Sequence, residues 1–387
     1  MPESKEPATL SGITWNHTRG FVPMVAAAQR LSELHPNVSI TWEKRSLQDF
    51  ADAPLDKLAE AYDLLVIDHP WAGFAARGGV LVPMDDLLPA EFLADQATNS
   101  VGPSHESYSF DRKQWALALD AATPVASWRP DLVERVPETV DDLHRLADKG
   151  IVIQPGIPQD TLMNFYMFVT ALDGDGSTIA ADPETLVPRA SGRFAIEQMQ
   201  ALANRLPRDH FEWNPIAVYE QITRRDDFAY CPWAYGYSNY ARPGYARKLL
   251  DFGDIVTFEG RPMRTTLGGT GLAVSSKTKH RDIAGDYARL IADPAWQSTQ
   301  FVEAGGQPGH RSAWVDDRVN TITRGYFEAT LPCLDRSYLR PRYDGSLSFQ
   351  GRDGGGAIIR DHLMHGGEVD ATLDKLDAKY RASRATQ

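Results

Sequence analysis

The sequence predicts an α/β protein that folds into two lobes. Its 387 residues exceed what a single hydrophobic core usually serves, so two lobes are expected. Near the N-terminus, segments with strand character alternate with segments of helical spacing. This alternation is typical of βαβ units, which build a mostly parallel sheet flanked by helices.

The first strand and helix are predicted from the opening of the chain. "TLSGITWN" has the alternation of a short strand, "HTRG" is typical of a turn, and "FVPMVAAAQRLSELHP" has helical spacing. We expect this helix to bury one face, formed by Val22, Val25, Ala26, Leu31 and Leu34.

Three further segments complete the pattern of the first lobe. "VSITWEKRS" is predicted to be a strand because of its β-branched residues, and "LDKLAEA" a short helix. "YDLLVIDHP" is a nearly continuous apolar run, as expected of a parallel strand buried on both faces.

The remaining segments continue the α/β pattern. "WALALDAATPVASWRPDLVERV" is predicted to be two strands joined by a turn, and "GIVIQPG" a further strand. Pro137 and Thr139 are expected to begin a helix that ends near Gly150, and residues 161–172 and 191–206 also have helical spacing. "TTLGGTGLAVSSKTK" returns to strand character, and amphipathic helices follow it.

Composition narrows the function classes. The formal net charge of −12 argues against nucleic acid as a partner, because no net positive field attracts phosphates. No apolar run reaches the length of a bilayer-spanning helix, and "MPESKEPATL" has no apolar core of a signal peptide. These observations leave open a cytoplasmic protein or a mature exported chain with an added Met. Two cysteines, Cys231 and Cys333, are expected to be separate buried thiols, although a disulfide stays possible.

Polar and aromatic side chains follow two of the predicted strands. Trp15, His17, Thr18 and Arg19 follow the first strand, and the segment Asp68, His69, Pro70, Trp71 follows the third. In open α/β sheets, ligands bind beyond the carboxyl ends of the strands. A loop histidine is usually a solvated or capping residue, but two such ends in one sheet favour a site for a polar ligand.

A cluster of rings lies in "CPWAYGYSNY", residues 231–240. Trp233, Tyr235, Tyr237 and Tyr240 are interspersed with Pro232 and Gly236, which are turn formers. This composition is typical of a loop that presents rings to a ligand. The alternative is that the rings cover the edge of a core.

The sequence offers little for catalysis or metal binding. Adjacent carboxylates such as Asp85 and Asp86 diverge by about 100° on a helix, so they rarely act on one bond. No GxSxG, HExxH or Walker motif is present. "DGDGS" at 173–177 lacks the glycine that a calcium loop needs at its sixth position, and His362 with His365 has no placed carboxylate. We predict no enzyme activity, metal or cofactor.

The ordered series of segments resembles the type 1 extracellular solute-binding proteins, the sugar-binding components of ABC importers. The similar segments are "RLSELHPNVSITWE", "YDLLVIDHPWAGFAARGGVLVPMDDLL", "DAATPVASWRPDLV", "PETVDDLHRLA", "YGYSNYA", "LGGTGLAVS" and "DPAWQSTQFVEAGGQPGHRSAW". They span the chain from about Leu10 to the last helix. The chain departs from the family in lacking a visible signal, and in having Val140 where a Trp is usual.

The resemblance implies a periplasmic-binding-protein-like fold with the ligand held between the two lobes by hinge closure. The expected lobes are 8–120 with 261–312, and 121–260 with 313–387. It also implies an ABC permease as partner, a monomer, and a periplasmic or cell-surface location. The predicted ligand-binding residues are Trp15, His17, Thr18, Arg19, Asp68, His69, Trp71, Asp120, Trp233, Tyr235, Tyr237, Gly269, Thr270 and Arg311.

The class of ligand is open at this point. Aromatic side chains favour a carbohydrate or polyol, whose C–H faces stack on rings. His17, Arg19, His69 and Arg311 instead suggest an anionic derivative, such as a sugar acid, unless the arginines form ion pairs. Alternatives to transport are a ligand-sensing protein of the same fold and, less favoured, a carbohydrate-active enzyme.

Overall fold

The computed structural model describes residues 7–52, 54–343 and 345–385. The chain divides into two compact units. Unit 1 comprises Met1–Ala122 and Gly268–Thr321, and unit 2 comprises Thr123–Leu267 and Ile322–Gln387. The expected ranges had placed 121–122 and 313–321 in the second lobe and 261–267 in the first, whereas the structure assigns each segment to the other unit.

The strands are β1 Ala8–Trp15, β2 Val38–Arg45, β3 Leu64–Ile67, β4 Leu81–Val82, β5 Ser109–Phe110, β6 Lys113–Gln114, β7 Leu117–Ala122, β8 Pro124–Trp128, β9 Tyr230–Tyr235, β10 Asp251–Gly253, β11 Thr257–Phe258, β12 Arg261–Pro262 and β13 Gly268–Ser275. The α-helices are α1 Thr18–Leu34, α2 Leu47–Asp52, α3 Leu55–Ala61, α4 Trp71–Gly78, α5 Ala90–Thr98, α6 Ser104–Ser107, α7 Val140–Ala147, α8 Pro158–Asp173, α9 Arg189–Ala203, α10 Pro215–Arg224, α11 Arg281–Ala292, α12 Pro294–Trp296, α13 Arg311–Trp314, α14 Asp317–Ile322, α15 Tyr326–Asp335, α16 Ser346–Gln350, α17 Gly355–His365 and α18 Val369–Ala385.

Unit 1 contains a mixed sheet of order β2-β1-β3-β13-β4, with β7 also paired to β13. β1 is parallel to β2 and β3, as the βαβ pattern predicts. β13 is antiparallel to β3, β4 and β7. In this sheet the parallel pairs therefore involve only β1, β2 and β3. Strand β13, which belongs to the segment that re-enters unit 1 at Gly268, is antiparallel to its neighbours.

Unit 2 corrects the expectation of a mostly parallel sheet in each lobe. Its three-stranded sheet has the order β10-β8-β9, and both pairings are antiparallel. The predicted strand "GIVIQPG" forms only a bridge, between Val152 and Tyr230. Pro155 follows directly and has no N–H with which to continue the ladder.

Helix α1 buries Leu31 as predicted, but three other residues of the predicted face are exposed. Val22, Val25 and Leu34 are 41%, 40% and 50% exposed. The buried residues of α1 are Arg19, Gly20, Pro23, Met24, Ala27, Ala28 and Leu31. The helix also begins at Thr18, inside the predicted turn. Small residues let α1 approach the sheet closely, so alanines and a glycine form the contact where larger apolar residues were expected.

Helix α7 follows the sequence prediction. Thr139 is its N-cap and forms a capping box with Asp142, in which each side chain satisfies the other residue's backbone N–H. Gly150, with a φ of 76°, lies three residues after Ala147, the last residue of α7. Among the residues that the structure describes, no helix is both long and apolar enough to cross a bilayer.

Candidate functional site

One edge of the unit 1 sheet gathers several predicted residues. β1 ends at Trp15 and β3 at Ile67, and Ile67 lies opposite Gly271 of β13. Thr270 of β13 in turn lies opposite Asp120 of β7. Because the start of antiparallel β13 lies beside the carboxyl end of β3, residues from four strands meet at the edge where α/β sheets bind ligands.

His17 forms the start of α1 at this edge. Its Nδ1 accepts a hydrogen bond of 3.0 Å from the backbone N–H of Arg19, so the imidazole is the N-cap of the helix. Burial, together with the positive charge of Arg19, lowers the pKa of His17 to about 3. The imidazole is therefore neutral at physiological pH. The next residue, Thr18, has an exposed side chain.

Arg19 and Asp120 form a buried ion pair within unit 1. The Arg19 Nε donates to Asp120 Oδ2 at 2.8 Å, and its second nitrogen, Nη2, donates to Oδ1. The two side chains are 4% and 2% exposed. Burial raises the pKa of Asp120, while the Arg19 charge opposes that shift. The charge of Arg19, one of the groups that suggested an anionic ligand, is thus balanced inside the protein.

The segment after α12 supports this pair. The backbone N–H of Gln307 donates to Asp120 Oδ2 at 3.2 Å, and Gly309 N donates to Leu119 O at 3.1 Å. A Cβ on Gly309 would lie 1.8 Å from the carbonyl oxygen of Ala118, so only glycine fits beside β7. Arg311 follows this segment, and its Nε donates to the carbonyl of Ser100 at 3.3 Å.

The two tryptophans of unit 1 differ in exposure. Trp15 is 3% exposed and packs on Phe50 at 5.5 Å between ring centroids. A Cβ on Gly20 would lie 2.3 Å from its indole, so α1 covers the ring. Trp15 is therefore a core residue in this structure, where a stacking surface was expected. Trp71, at the start of α4, is half-buried and contacts Phe74 edge-on at 5.6 Å.

The residues after β3 divide into a buried and a half-buried side chain. His69 is fully buried and meets Tyr108 edge-on at 6.4 Å. Asp68 is half-buried, and its Oδ1 accepts the backbone N–H of His69 at 2.8 Å. Asp68 is therefore placed to present a carboxylate at the sheet edge, whereas His69 packs beneath it.

Gly269 and Thr270 occupy an irregular part of β13. Gly269 has a φ of 101°, and a Cβ there would lie 2.2 Å from the Asp120 carbonyl oxygen. The register between β13 and β7 shifts after Thr270. The Thr270 hydroxyl is buried, and it has no hydrogen-bond partner among the described residues. A buried hydroxyl without a partner is costly, so this position favours a bound water or ligand.

The aromatic segment of unit 2 is not a loop, and that prediction is wrong. Residues 230–235 form strand β9 and 238–241 form a 3₁₀ helix. Trp233 is 1% exposed and packs edge-on against Phe168 of α8 at 5.4 Å. Its ring thus fills the core of unit 2, because α8 covers this face of the antiparallel sheet. No face of Trp233 is available for stacking in this conformation.

Tyr235 is the exception among the rings of β9. It is half-buried, and its hydroxyl shares a hydrogen bond of 2.9 Å with the Thr266 hydroxyl. Tyr237 is buried and lies edge-on to Tyr219 at 6.0 Å. Of the three predicted unit 2 residues, only Tyr235 keeps a partly accessible ring.

Asp160 and Asn164 are unit 2 residues that the sequence reasoning missed. They lie one turn apart on the same face of α8, and both are more than nine-tenths buried. Neither side chain has a hydrogen-bond or ion-pair partner among the described residues. Burial raises the pKa of Asp160 to about 8, so the acid is mostly protonated at neutral pH. In the sequence, an acid two residues after a helix-starting proline is typical of a helix-start charge, so no local pattern distinguishes Asp160.

Alternative chemistries receive no support from this geometry. No cluster of three metal-ligating side chains occurs in the described ranges. Cys231 and Cys333 are buried free thiols. In "DGDGS", the Asp173 carboxylate accepts hydrogen bonds from the hydroxyls of Thr178 and Ser191, as expected of a structural turn.

Comparisons with known proteins give a family and a fold. The model of a family described as bacterial extracellular solute-binding protein matches residues 14–298. A maltotriose-binding protein of Pyrococcus abyssi is 24% identical over 123 residues, which are 32% of this chain. The match spans only 26% of that relative's length.

Solved structures cover nearly the whole chain. Maltose-bound MalE3 of T. maritima superposes with a TM-score of 0.82 at 12% identity, covering 97% of this chain and 99% of that one. A solute-binding protein of an ABC transporter from Agrobacterium radiobacter K84, in complex with ribitol, gives 0.79 at 16% identity with the same coverage. These likenesses show the two-lobed periplasmic-binding-protein-like fold that the sequence predicted.

Proposed function

Because the chain belongs to the bacterial extracellular solute-binding proteins, we propose that it captures a neutral carbohydrate or polyol for an ABC importer. The observation that carries the choice of ligand is the Arg19–Asp120 pair. It balances the charge of Arg19, and the low pKa of His17 keeps that imidazole neutral. Two of the four groups that had suggested an anionic ligand therefore offer it no net positive charge.

The donors and acceptors of unit 1 suit a hydroxylated ligand. Asp68 supplies a carboxylate and Thr270 a hydroxyl, and Trp71 offers a half-buried ring. Sugar hydroxyls donate to carboxylates, and sugar C–H faces pack on aromatic rings. Arg19, Asp120 and Gly269 position these groups in the proposed site, and His17, Thr18 and Arg311 line its rim.

Unit 2 has its own candidate groups for a hydroxylated ligand. The protonated Asp160 donates a hydrogen bond, the Asn164 amide both donates and accepts, and Tyr235 supplies a ring. Relatives named for their ligands support a sugar or polyol: a maltotriose-binding protein and structures with maltose and ribitol. The permease partner, the monomeric state and a location outside the cytoplasm rest on family membership.

A matched ligand screen tests this function. Maltose and ribitol are compared with their acids, maltobionate and ribonate, by thermal unfolding and then by calorimetry. A bound ligand at 100 times its Kd adds about 2.7 kcal/mol to the free energy of unfolding, which raises the melting temperature by several degrees. We expect stabilisation by a neutral member of a pair. Stabilisation by the acids alone would contradict the neutral ligand, and turnover of a glycoside would contradict the binding function.

A further inference from the structure

A groove of about 680 Å³ opens on unit 2 and contains none of the candidate ligand-binding residues. It is formed by α9, by α17 and by the turn that joins α17 to α18. Its polar lining consists of Glu197, Gln200, Asn204, Arg208, His362 and His365. A volume of this size is within the usual range for small-molecule sites.

His362 is the one buried titratable side chain of the polar lining, at 5% exposure. Its Nδ1 lies 2.8 Å from the Thr372 hydroxyl, and that hydroxyl donates its proton to the Glu368 carbonyl at 3.4 Å. Nδ1 is thereby engaged within unit 2, and no described residue forms a hydrogen bond with Nε2, the second ring nitrogen. Nε2 donates or accepts according to the tautomer. Burial lowers the pKa of His362, which favours the neutral ring.

Glu197 supplies a carboxylate to the lining of the same groove. It is exposed and has no ion-pair or hydrogen-bond partner among the described side chains. Gln200, one helical turn further along α9, donates through Nε2 to the carbonyl of Leu363 at 3.3 Å. Since Leu363 follows His362 directly, this hydrogen bond holds the Glu197 turn of α9 against the His362 turn of α17.

The rest of the polar lining both donates and accepts hydrogen bonds. Gln200 and Asn204 carry amide groups and His365 an imidazole, and Arg208, just beyond the end of α9, carries a positive charge. A hydroxylated ligand can therefore form several hydrogen bonds along the groove.

We propose that this groove is a second ligand site, which binds a small hydroxylated amine of the amino-sugar class. The ammonium group pairs with the Glu197 carboxylate, and a hydroxyl group forms a hydrogen bond with Nε2 of His362. The site is independent of the ligand proposed above for the importer, and it requires no residue of that site.

D-Glucosamine and D-glucose are the matched probes, since they differ in having an ammonium or a hydroxyl group at one carbon. The measurement is a titration of protein with ¹⁵N-labelled histidine, followed through the Nε2 resonance of His362 by NMR. This resonance reports on the groove even when a sugar also occupies the other site. We expect a saturable shift with glucosamine, at about tenfold lower concentration than with glucose, because the hydrogen bonds of charged groups are stronger.

Two variants separate the contributions. Glu197→Gln removes the charge, and we expect glucosamine to lose its preference over glucose. His362→Asn keeps an amide near Thr372 but removes Nε2, and we expect weaker binding of both sugars by calorimetry. Glu212→Gln is the control, because Glu212 is exposed and paired with Arg360 outside the groove.

Two results would overturn the proposal. One is a His362 resonance that does not move when glucosamine is added to folded protein. The other is a glucosamine affinity of Glu197→Gln equal to that of the wild type and of Glu212→Gln. Circular dichroism of each variant establishes that it is folded, so loss of structure is not mistaken for loss of the site.

Discussion

The Arg19 guanidinium and the Asp120 carboxylate form a two-point ion pair buried inside unit 1, joining the start of α1 to β7. The two residues are 101 positions apart in the sequence. A buried pair of this kind adds little net stability compared with apolar residues, but breaking it leaves a charge without a partner. The pair therefore ties the start of α1 to β7, and in the proposed site it leaves Arg19 with no net charge to offer a ligand.

Asp120→Asn should destabilise the protein by about 3–5 kcal/mol, because Arg19 stays charged and buried. The free energy of unfolding is measured by urea titration. Glu33→Gln is the control, since it breaks the exposed pair with Arg30 and should cost at most about 1 kcal/mol. Equal losses in the two variants would mean that Arg19 is solvated and that the pair is not buried in solution.

Trp233→Ala should destabilise unit 2 by about 3–5 kcal/mol, as expected of a large ring removed from a core. Tyr235→Ala should keep the fold and weaken ligand binding by about 1–3 kcal/mol, as expected of an aromatic contact. Chemical unfolding and calorimetry of both variants distinguish the two roles. A stable Trp233→Ala variant with lost binding would restore the sequence-based prediction of a stacking platform.

Asp160→Asn tests the buried acid through its pH dependence. The folded-state pKa of about 8 lies above the ordinary value of 3.8, so the folded state binds more protons between these values. The wild type should lose stability as pH rises from 4 to 8, by roughly 1.4 kcal/mol per unit at most. Asparagine at this position does not titrate. The free energy of unfolding of Asp160→Asn, relative to that of the wild type, should therefore increase as pH rises. Parallel stability profiles of the two proteins would show that the Asp160 pKa is not raised.

His17→Asn should change how the free energy of unfolding depends on pH below about 6.5. The His17 pKa is about 3 in the folded protein and near 6.5 when unfolded, so the unfolded state binds the extra proton. This contribution is complete above pH 6.5 and is lost progressively as pH falls toward 3. Asparagine can still cap α1 but does not titrate, so the acid loss should be smaller. His35→Asn, at an exposed position, is the control. A neutral His17 also predicts a Kd that does not change between pH 5.5 and 6.5, below the range in which Asp160 ionises.

Ligand binding should reduce the radius of gyration measured by small-angle X-ray scattering, if hinge closure accompanies capture. The titration uses whichever ligand of the screen stabilises the protein. An Asp160→Leu variant, which keeps the size of the side chain but loses its hydrogen bonds, should bind more weakly and compact less. A scattering curve that stays unchanged at saturation would contradict closure.

The sequence by itself determined the features that depend on local pattern. The apolar run of β3, the alternation of β1 and the capping box of α7 each come from residues within one segment. Their order along the chain was enough for the resemblance to a family and for the two-lobed α/β fold. Trp15, Asp68 and Trp71 were located at strand ends by the same reasoning.

Only the tertiary structure decided which face of each element is buried and which charges meet. Val22 and Val25 of α1 are exposed because small residues, Gly20 among them, form the close contact with the sheet. Trp233 is buried because α8 covers β9. Burial around α8 raises the pKa of Asp160. Arg19 pairs with Asp120, which lies on a strand far along the chain. Burial and pairing depend on residues far apart in the chain, so no local pattern encodes them.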